Sequence, residues 1–578
     1  MNNRNYSRRK FLHDLTKGTA LTLLGYHLTS CKNSPFSGNG DDGNNNPDEP
    51  TPTAAFYVDQ KNGNDKNSGT KDNPWKTIAK ANSVNPGSIV FIRKGNYQET
   101  ISPEKSGFGK APIIYQNFPN ETPIIRGKKG SIAAIDLRDK LYVKVRGINI
   151  IYPLRRYADL TGASYCTLED ILMDKIGKEQ GVTLGNYGTD ENIETSFNKI
   201  RGCEIHGYPK YTGDVALETI SIFGGDKVHS NLLEDCEIIN ADHVVINLKG
   251  VGHPNKAIGP HHNIIRLCTI SNPLHHSIQE AYGAHSNLYE LNHIFQSGDG
   301  KSSENDGEGV HLNPINSIFR FNTIESSGST DITNTLQSGI GLSWNKSREK
   351  FYFAGNNKFY NNNVVNNRGP GIGISVGITL EDCYQFPDSL ILGSEFVNNI
   401  IAGNAETLKG NYNGAEIVYR FWQSKECLKR NGVHISQMPK DIYRNNNMGS
   451  YPGQRVIRVQ WPELHGFYSL EEASEYLPLT IKDNFSGKIA GVNKGDFLAF
   501  ANDSAAESSE LKVNDSRYFA APPDWEIADE IQIGEQRSKI DSIDYKRNII
   551  HLSQPLSWGE GQGISLPYEG ERPSIGAG

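Results

Sequence analysis

One short segment recurs six times in the chain, and each copy holds a cysteine or an asparagine at the same place. The shared position is occupied by Cys203, Cys236, Cys268, Asn292, Asn322 and Asn363, in copies that begin NKIRGCEI, NLLEDCEI, NIIRLCTI, NLYELNHI, SIFRFNTI and KFYNNNVV. The spacings of 33, 32, 24, 30 and 41 residues vary because insertions fall between the strands, as in a solenoid. We expect stacked Asn amides to hydrogen-bond from coil to coil. The small Cys side chains would fill the equivalent buried position as reduced thiols.

A second strand repeats in phase with the first. The segments VVINLKG, HSIQEAYG, EGVHLNP, SGIGLSW and GIGISVG align so that alternate residues face the core, namely Ile246, Ile278, Val310, Ile340 and Ile372. These residues are 32, 32, 30 and 32 positions apart. Two strands that share one register favour an all-β fold, the parallel β-helix, over a β-propeller or an antiparallel sandwich.

The N-terminus has the pattern of an export signal. SRRKFL at Ser7 is followed by an apolar run from Thr19 to Leu28 and by Leu28-Thr-Ser-Cys31. We interpret residues 1–31 as a twin-arginine lipoprotein signal, because the apolar run is too short for a membrane-spanning anchor. We therefore expect lipidation at Cys31, a disordered tether over 32–54, and export to the bacterial cell envelope, facing the periplasm or the outer surface. The lipid would be the sole membrane contact.

The charge balance limits the choice of partner. Removal of the residues before Cys31 takes away five basic residues and one acidic residue, which moves the net charge from −7 to −11. That balance argues against nucleic acid as a partner, while an acidic glycan needs only a local basic cleft. We expect a monomer without an organic cofactor.

The start of the folded part resembles the N-terminal part of pectate-lyase-like right-handed parallel β-helix proteins from bacteria. The resemblance is carried by Tyr57-Val58-Asp59, Gly63-Asn64-Asp65, Gly69, Pro74-Trp75-Lys76-Thr77-Ile78, Pro86-Gly87 and Gly95-Asn96-Tyr97. With the coils it covers about residues 55–410, and it implies a right-handed solenoid. The superfamily includes lyases, glycosidases, epimerases and phage tailspikes, so the resemblance names no single activity.

The sequence also predicts the pieces around the coils. A short helix that starts at Pro74, with Trp75, Ile78 and Ala79 on one face, would plug the open end of the solenoid. The repeat fades after the β-helix of 55–410, which predicts an irregular extension over 411–480 and a C-terminal β-rich domain or cap over 481–578.

Side chains that can do chemistry gather on the outer face of the second strand. Alternation places Asn247, Gln279, His311 and Gly341 in one outward column, and Lys249, Ala281, Asn313 and Ser343 in the next. Two earlier columns are predicted to hold Val245, Ser277 and Gly309, and before those His243, His275 and Gly307. We take Lys249, His311, His275 and His243 as catalytic candidates, and Asn247, Gln279, Asn313, Tyr282 and Trp344 as substrate-binding candidates.

An acidic loop precedes the strand of His311. It carries Asp299, Glu304, Asp306 and Glu308, which would bind Ca²⁺, supply the acid and nucleophile of a glycosidase, or form a solvated loop without chemistry. Alternation puts Glu308 and Glu280 on the core side. Each must therefore turn outward or find a buried partner, and burial would raise its pKa.

These features favour an enzyme that degrades an extracellular polysaccharide or oligosaccharide. A base, a cation and amides on one face suit β-elimination from a uronate-containing glycan. The first alternative is a glycoside hydrolase that uses Asp306, Glu308 and Glu280. The second is a surface lipoprotein that binds glycans without catalysis.

Overall fold

The computed structural model describes most of the chain after the predicted signal and tether. It covers residues 53–577 except 178, 186–192, 209–216, 252–256, 299–306, 313–314, 329–337, 348–349, 353–354, 378–392, 406–414, 422–439, 449–456, 462–463, 478 and 485–494. Cys31 lies outside the described residues. Within the described part, no helix is both long enough and apolar enough to span a membrane.

The chain winds into coils that contribute strands to three long sheets. Their neighbouring strands are parallel except at two hairpins of sheet 3, one at its end and one that branches from a strand inside the sheet. Sheet 1 contains Ala54–Val58, Ser88–Ile92, Ile113–Asn117, Val143–Arg146, Thr167–Glu169, Lys199–Arg201, Leu232–Glu234, Ile264–Arg266, Leu288–Glu290, Ile318–Arg320, Lys358–Tyr360, Glu395–Val397, Asp441–Arg444 and Leu479–Lys482. Sheet 2 contains Asn96–Tyr97, Ile124–Ile125, Asn149–Ile151, Leu172–Asp174, Glu204–His206, Glu237–Ala241, Thr269–Pro273, His293–Phe295, Thr323–Glu325, Asn363–Val365 and Ile400–Ala402. Sheet 3 contains Ala133–Asp136, Arg156–Asp159, Val182–Gly185, Ile220–Phe223, Val244–Lys249, His276–Ala281, Val310–Leu312, Ile340–Ser347, Lys350–Tyr352, Ile372–Gly377, Ile417–Phe421, Ile457–Trp461 and Leu464–Tyr468. A short pair outside these sheets joins Thr195–Ser196 to Val228–His229.

This arrangement is a right-handed parallel β-helix, as the repeat and the resemblance predicted. The predicted core positions of sheet 3 are confirmed, because all five residues from Ile246 to Ile372 are buried. Cys203, Cys236 and Cys268 are also buried as free thiols, and each points at backbone carbonyls of its own and the preceding coil.

The asparagine ladder exists, but its later members differ from the predicted set. Asn292, Asn322, Asn362, Asn399, Asn446 and Asn484 form one column in which each side-chain amide donates to the next amide oxygen at 2.9–3.0 Å. The prediction of Asn363 is wrong by one residue, because Ile318 pairs with Lys358 and the sixth copy therefore begins at Asn357. Asn363 instead starts a strand of sheet 2.

A second column of amides lies at the first letter of the repeat. Asn198, Asn231, Asn263 and Asn287 are buried, and consecutive amides are joined by hydrogen bonds of 2.9–3.0 Å. The two columns meet at the strand Leu288–Glu290 of sheet 1, which lies between Asn287 and Asn292.

The short N-terminal helix spans Ile78–Ala81 and begins later than predicted. Thr77, not Pro74, caps it by accepting a hydrogen bond from the Lys80 backbone. Ile78 and Ala81 are its buried residues, whereas Ala79 is exposed. The helix packs into the solenoid core, as expected of a plug.

The coils continue beyond the point where the sequence repeat fades. Within 411–480, where an irregular extension was predicted, Ile417–Phe421 and Ile457–Trp461 add to sheet 3, and Asp441–Arg444 and Leu479–Lys482 add to sheet 1. A capped helix, Leu470–Ser474, precedes the last strand of sheet 1.

The C-terminal region is a six-stranded antiparallel sheet that packs against sheet 1. Its strands are Ala499–Phe500, Ala505–Lys512, Glu530–Ile533, Gln536–Asp544, Ile549–Trp558 and Gly563–Ser565. Its core includes the outward column Leu232, Ile264, Leu288 and Ile318 of sheet 1. The buried Arg320 guanidinium joins the two units through Asp529 at 2.7 Å and Glu290 at 2.6 Å.

Replacing a central ladder amide should destabilise the protein. Asn322→Ala removes the amide between Asn292 and Asn362 and leaves the buried backbone N–H of Asn292 without its acceptor, so we expect a loss of roughly 1–3 kcal/mol in unfolding free energy. Chemical denaturation measures it. Asn96→Ala, an exposed change in sheet 2, is the control and should unfold like the wild type. Equal midpoints for all three proteins would contradict the role of the ladder.

Candidate functional site

The outward column predicted from alternation is confirmed by the register of sheet 3. Asn247 pairs with Gln279, Gln279 with His311, and His311 with Gly341. Lys249 pairs with Ala281 in the next column. Because neighbouring strands lie about 4.8 Å apart, these side chains are spaced closely enough to contact one sugar unit.

Three neighbouring coils depart from strict in–out alternation, and one predicted outward column is therefore wrong. Val245 belongs to the interior core, and Ser277 Oγ lies 2.6 Å from Ser297 Oγ within the protein. Two consecutive residues therefore face inward in each strand, Val245 with Ile246 and Ser277 with Ile278, and the alternation shifts by one. Val245, Ser277 and Gly309 thus do not form an outward column. A Cβ on Gly309 would approach Ile324 and Ser327.

The same shift brings Glu308 and His276 to the outer face. Glu308 thus turns outward, one of the two outcomes expected for it: its carboxylate bonds Nδ1 of His311 and lies 3.4 Å from Nδ1 of His276. The two imidazole rings are stacked with centroids 4.6 Å apart. A Cβ at Gly341 would overlap the Glu308 carboxylate, so a larger residue at this position would displace that side chain.

A second carboxylate on this face, Glu218, was not predicted from the sequence. It is 4% exposed and accepts hydrogen bonds from Gln180 Nε2 at 3.0 Å and Asn247 Nδ2 at 3.2 Å. Burial raises the pKa of Glu218. The signal was available, because Glu218 stands two residues before Ile220, the same offset that Glu308 has before Val310.

Imidazoles and one cation complete the face. His243 lies 4.0 Å from Glu218, and its ring centroid is 4.9 Å from that of His275. Burial, with smaller contributions from His275 and Lys249, lowers the pKa of His243 to about 3, so this imidazole is neutral near neutral pH. The Lys249 ammonium lies 4.4 Å from the ring centre of Tyr282. The candidates Lys249, His243, His275, His311, Asn247 and Gln279 thus lie in, or directly before, three adjacent strands of sheet 3.

Glu280 lies on the opposite side of the sheet, in the solenoid interior. It found buried partners, one of the two outcomes expected: Asn287 Nδ2 at 2.6 Å, Ser317 Oγ at 2.9 Å and Tyr289 Oη at 3.0 Å. Burial raises the pKa of Glu280 to about 7, as expected for a carboxyl group on the core side of the strand. It connects to the amide column through Asn287 and has no access to a ligand on the outer face.

Several candidates lie beyond what the structure describes. Asn313, Asp299, Glu304 and Asp306 fall outside the described residues. Trp344 belongs to the strand Ile340–Ser347, but its side chain is not among those described.

Glu280 should give stability a definite dependence on pH. Its pKa is about 7 in the folded protein against an ordinary 4.5, so its stabilising effect is complete below the ordinary value and is lost as pH rises through about 7. The unfolding free energy of the wild type minus that of Glu280→Gln should therefore fall between about pH 5 and about pH 8.

Urea unfolding at several pH values measures this difference. Glu560→Gln, an exposed change in the C-terminal sheet, is the matched control and should keep a constant difference from the wild type. A constant difference for Glu280→Gln as well would show that the carboxyl is not held neutral.

Comparison with known proteins gives one family match and one curated relative. The chain matches a family described as "Protein of unknown function (DUF1565)" over residues 61–287. It is 30% identical over 155 residues to "Uncharacterized protein YwoF" of Bacillus subtilis (strain 168), which is 25% of this chain. The match spans 28% of the length of that relative.

Solved structures with a similar course of the chain include three named carbohydrate-active proteins. A mannuronic acid specific polysaccharide family 6 lyase from human gut microbiota has a TM-score of 0.43 at 13% identity, covering 75% of this chain and 87% of that one. An alginate lyase from Paenibacillus sp. str. FPU-7 has 0.38 at 13%, covering 56% and 94%. A GH136 lacto-N-biosidase from Eubacterium ramulus has 0.38 at 13%, covering 75% and 68%. Likeness at these values does not extend to an activity.

Proposed function

We propose that the protein is an enzyme that degrades a uronate-containing polysaccharide or oligosaccharide by β-elimination on the outer face of sheet 3. The main support for this proposal is that Lys249, Asn247, Gln279 and a group of histidines lie close together on adjacent strands of that face. A cation, amides and proton-exchanging imidazoles are the groups that this reaction requires.

The residues divide between two tasks. Lys249, Asn247 and Gln279 would bind the uronate carboxylate, and its neutralisation makes the adjacent C–H more acidic. An imidazole of the face then takes that proton, a C=C bond forms, and the bond to the leaving glycosidic oxygen breaks. Because Lys249 serves as the cation, His243, His275 and His311 are the candidates for the proton acceptor. The leaving oxygen takes up a proton, which balances the step.

The carboxylates of the face favour elimination over hydrolysis. Glu218 and Glu308 stand three strands apart in sheet 3, so their backbones are separated by roughly 14 Å. A glycosidase needs two carboxyl groups about 5–9.5 Å apart across the bond that it cleaves. Each carboxylate is also engaged locally, Glu218 by Gln180 and Asn247, and Glu308 by His311.

One observation favours the hydrolase as a second candidate. The raised pKa of Glu218 suits a general acid, which must hold a proton until the leaving oxygen takes it. In that case Glu218 would be the acid, and the second carboxylate would have to lie closer to it than Glu308.

Substitution of the cation tests the function. Lys249→Ala should lower turnover by about 10²-fold or more, the usual effect of losing a positioned acid, base or charge. The thermal midpoint should hardly change, because Lys249 is partly exposed at the end of its strand. The assay is a panel of uronate polysaccharides, read by the absorbance of unsaturated uronates and by reducing ends.

Lys227→Ala, a change at an exposed lysine outside sheet 3, is the matched control and should retain full activity. Reducing ends without an unsaturated product, together with an inactive Glu218→Gln, would establish the hydrolase and overturn the lyase. Binding of a glycan without any turnover would establish a non-catalytic binding protein.

The proposed substrate is extracellular, which requires export. We expect Cys31 to carry a lipid that anchors the protein in the cell envelope, with the glycan reached from there. Metabolic labelling with a fatty acid should label the wild type but not Cys31→Ala, which should be recovered in soluble form. Cys166→Ala, a change at a buried core thiol, should remain labelled. An unlabelled wild type would remove the lipoprotein assignment.

A further inference from the structure

We propose that His276, Glu308 and His311 form a binding site for a transition-metal ion, with Zn²⁺ as the first candidate. One donor atom from each residue lies within 4.8 Å of the other two. Nδ1 of His276 is 3.4 Å from the Glu308 carboxylate oxygen, and Nδ1 of His311 contacts the same oxygen. Ligands of a tetrahedral ion at about 2.1 Å from the metal are about 3.4 Å apart, so the residues are at coordination spacing.

The buried imidazole of His276 supports the binding of an ion at this site. The residue is 1% exposed, and its Nδ1 has no hydrogen-bond partner among the described residues. A buried polar atom without a partner is uncommon in folded proteins, and an ion between the rings would satisfy it. Gly341 contributes by leaving space for the carboxylate beside the two rings.

A hydrogen-bonded triad without metal accounts for less of the geometry. Both ring nitrogens face one oxygen of Glu308, and His311 alone has the geometry of a hydrogen bond to it. His206 shows the contrasting arrangement, because it contacts Asp174 at 3.0 Å through Nδ1 and Glu204 at 2.9 Å through Nε2. Its two carboxylates lie on opposite sides of the ring and share no central point.

The donor atoms of the three residues indicate which class of metal ion would bind. Two imidazole nitrogens and one carboxylate oxygen suit Zn²⁺ and neighbouring transition metals, whereas Ca²⁺ prefers a shell of six to eight oxygens. Three protein ligands leave a coordination position for water or substrate, as in catalytic zinc sites. The Ca²⁺ expected from the acidic loop would therefore need donors other than these two histidines.

The ion would lie on the outer face of sheet 3, where we propose that the glycan binds. His311 is in the same column as Gln279 and Asn247. A negatively charged oxygen of a ligand bound to that column would therefore occupy the open coordination position. Resting on the proposed function, this contact would help to neutralise the uronate carboxylate. Ligation would also occupy His311, and proton abstraction would then fall to His243 or His275. The metal site itself does not depend on the β-elimination.

Metal binding is tested without any substrate. The purified full chain is stripped with a chelator, titrated with Zn²⁺ by calorimetry and analysed for metal after dialysis. We expect one Zn²⁺ per chain for the wild type and for His206→Gln. Glu308→Gln, His311→Gln and Gly341→Ala should each weaken binding by roughly tenfold or more. Co²⁺ should give the visible absorption of a tetrahedral site in the wild type and lose it in these variants.

Circular dichroism of each variant confirms folding, and the set avoids the fully buried His276. Equal Zn²⁺ binding by the wild type, Glu308→Gln and His311→Gln would show adventitious binding and overturn the site. A folded wild type that binds no Zn²⁺ would do the same, as would binding of Ca²⁺ alone that His311→Gln leaves unchanged. Because no glycan is present, these results stand whether or not the protein proves to be a lyase.

Discussion

The hydrogen bond between stacked asparagine amides sets the geometry of the solenoid. Each ladder amide follows a residue in the left-handed region, such as Leu291, Phe321 and Asn361, with φ of 55° or 56°. Non-glycine residues pay about 1–2 kcal/mol for that conformation. The amide oxygen of the next coil offsets this cost by accepting both the backbone N–H and the side-chain amide, as Asn322 does from Asn292. The corner between sheets 1 and 2 can therefore turn sharply without glycine.

The chemistry of sheet 3 depends on this regular stacking. Because successive coils are locked in register, residues at one offset form straight columns, and Asn247, Gln279 and His311 become neighbours although they are 32 residues apart in the chain. The double inward step at Val245–Ile246 and Ser277–Ile278 then rotates the preceding residues outward. One local irregularity, repeated in successive coils, thus places His276 and Glu308 beside His311.

The sequence predicted the features that follow from side-chain alternation and repeat spacing. The core positions from Ile246 to Ile372, the buried cysteines and the outward column of Asn247 all lie where periodicity placed them. Alternation could not show the inward double step, because Val245 and Ser277 are small enough to occupy either side of a sheet. The double step also accounts for the side of the sheet on which Glu308 lies.

Other differences have equally local causes. Three consecutive asparagines, Asn361 to Asn363, allowed two alignments of the sixth repeat, and only the pairing of Lys358 with Ile318 distinguishes them. The coils after residue 411 were hidden because long insertions separate strands such as Ile417–Phe421 and Asp441–Arg444. Glu218 lies before its strand, where alternation predicts no side, and only its offset of two residues from Ile220, shared by Glu308 and Val310, marks it in the sequence.

We propose that a glycan binds and reacts on the outer face of sheet 3, at Asn247, Gln279 and His311. A crystal structure of the protein with an unsaturated or reduced oligouronate that cannot turn over would test this binding site. We expect the sugar carboxylate next to Lys249 and the amides of Asn247 and Gln279, with the sugar ring beside the histidines. An oligosaccharide bound on sheet 1, sheet 2 or the C-terminal domain, with this face empty, would contradict it.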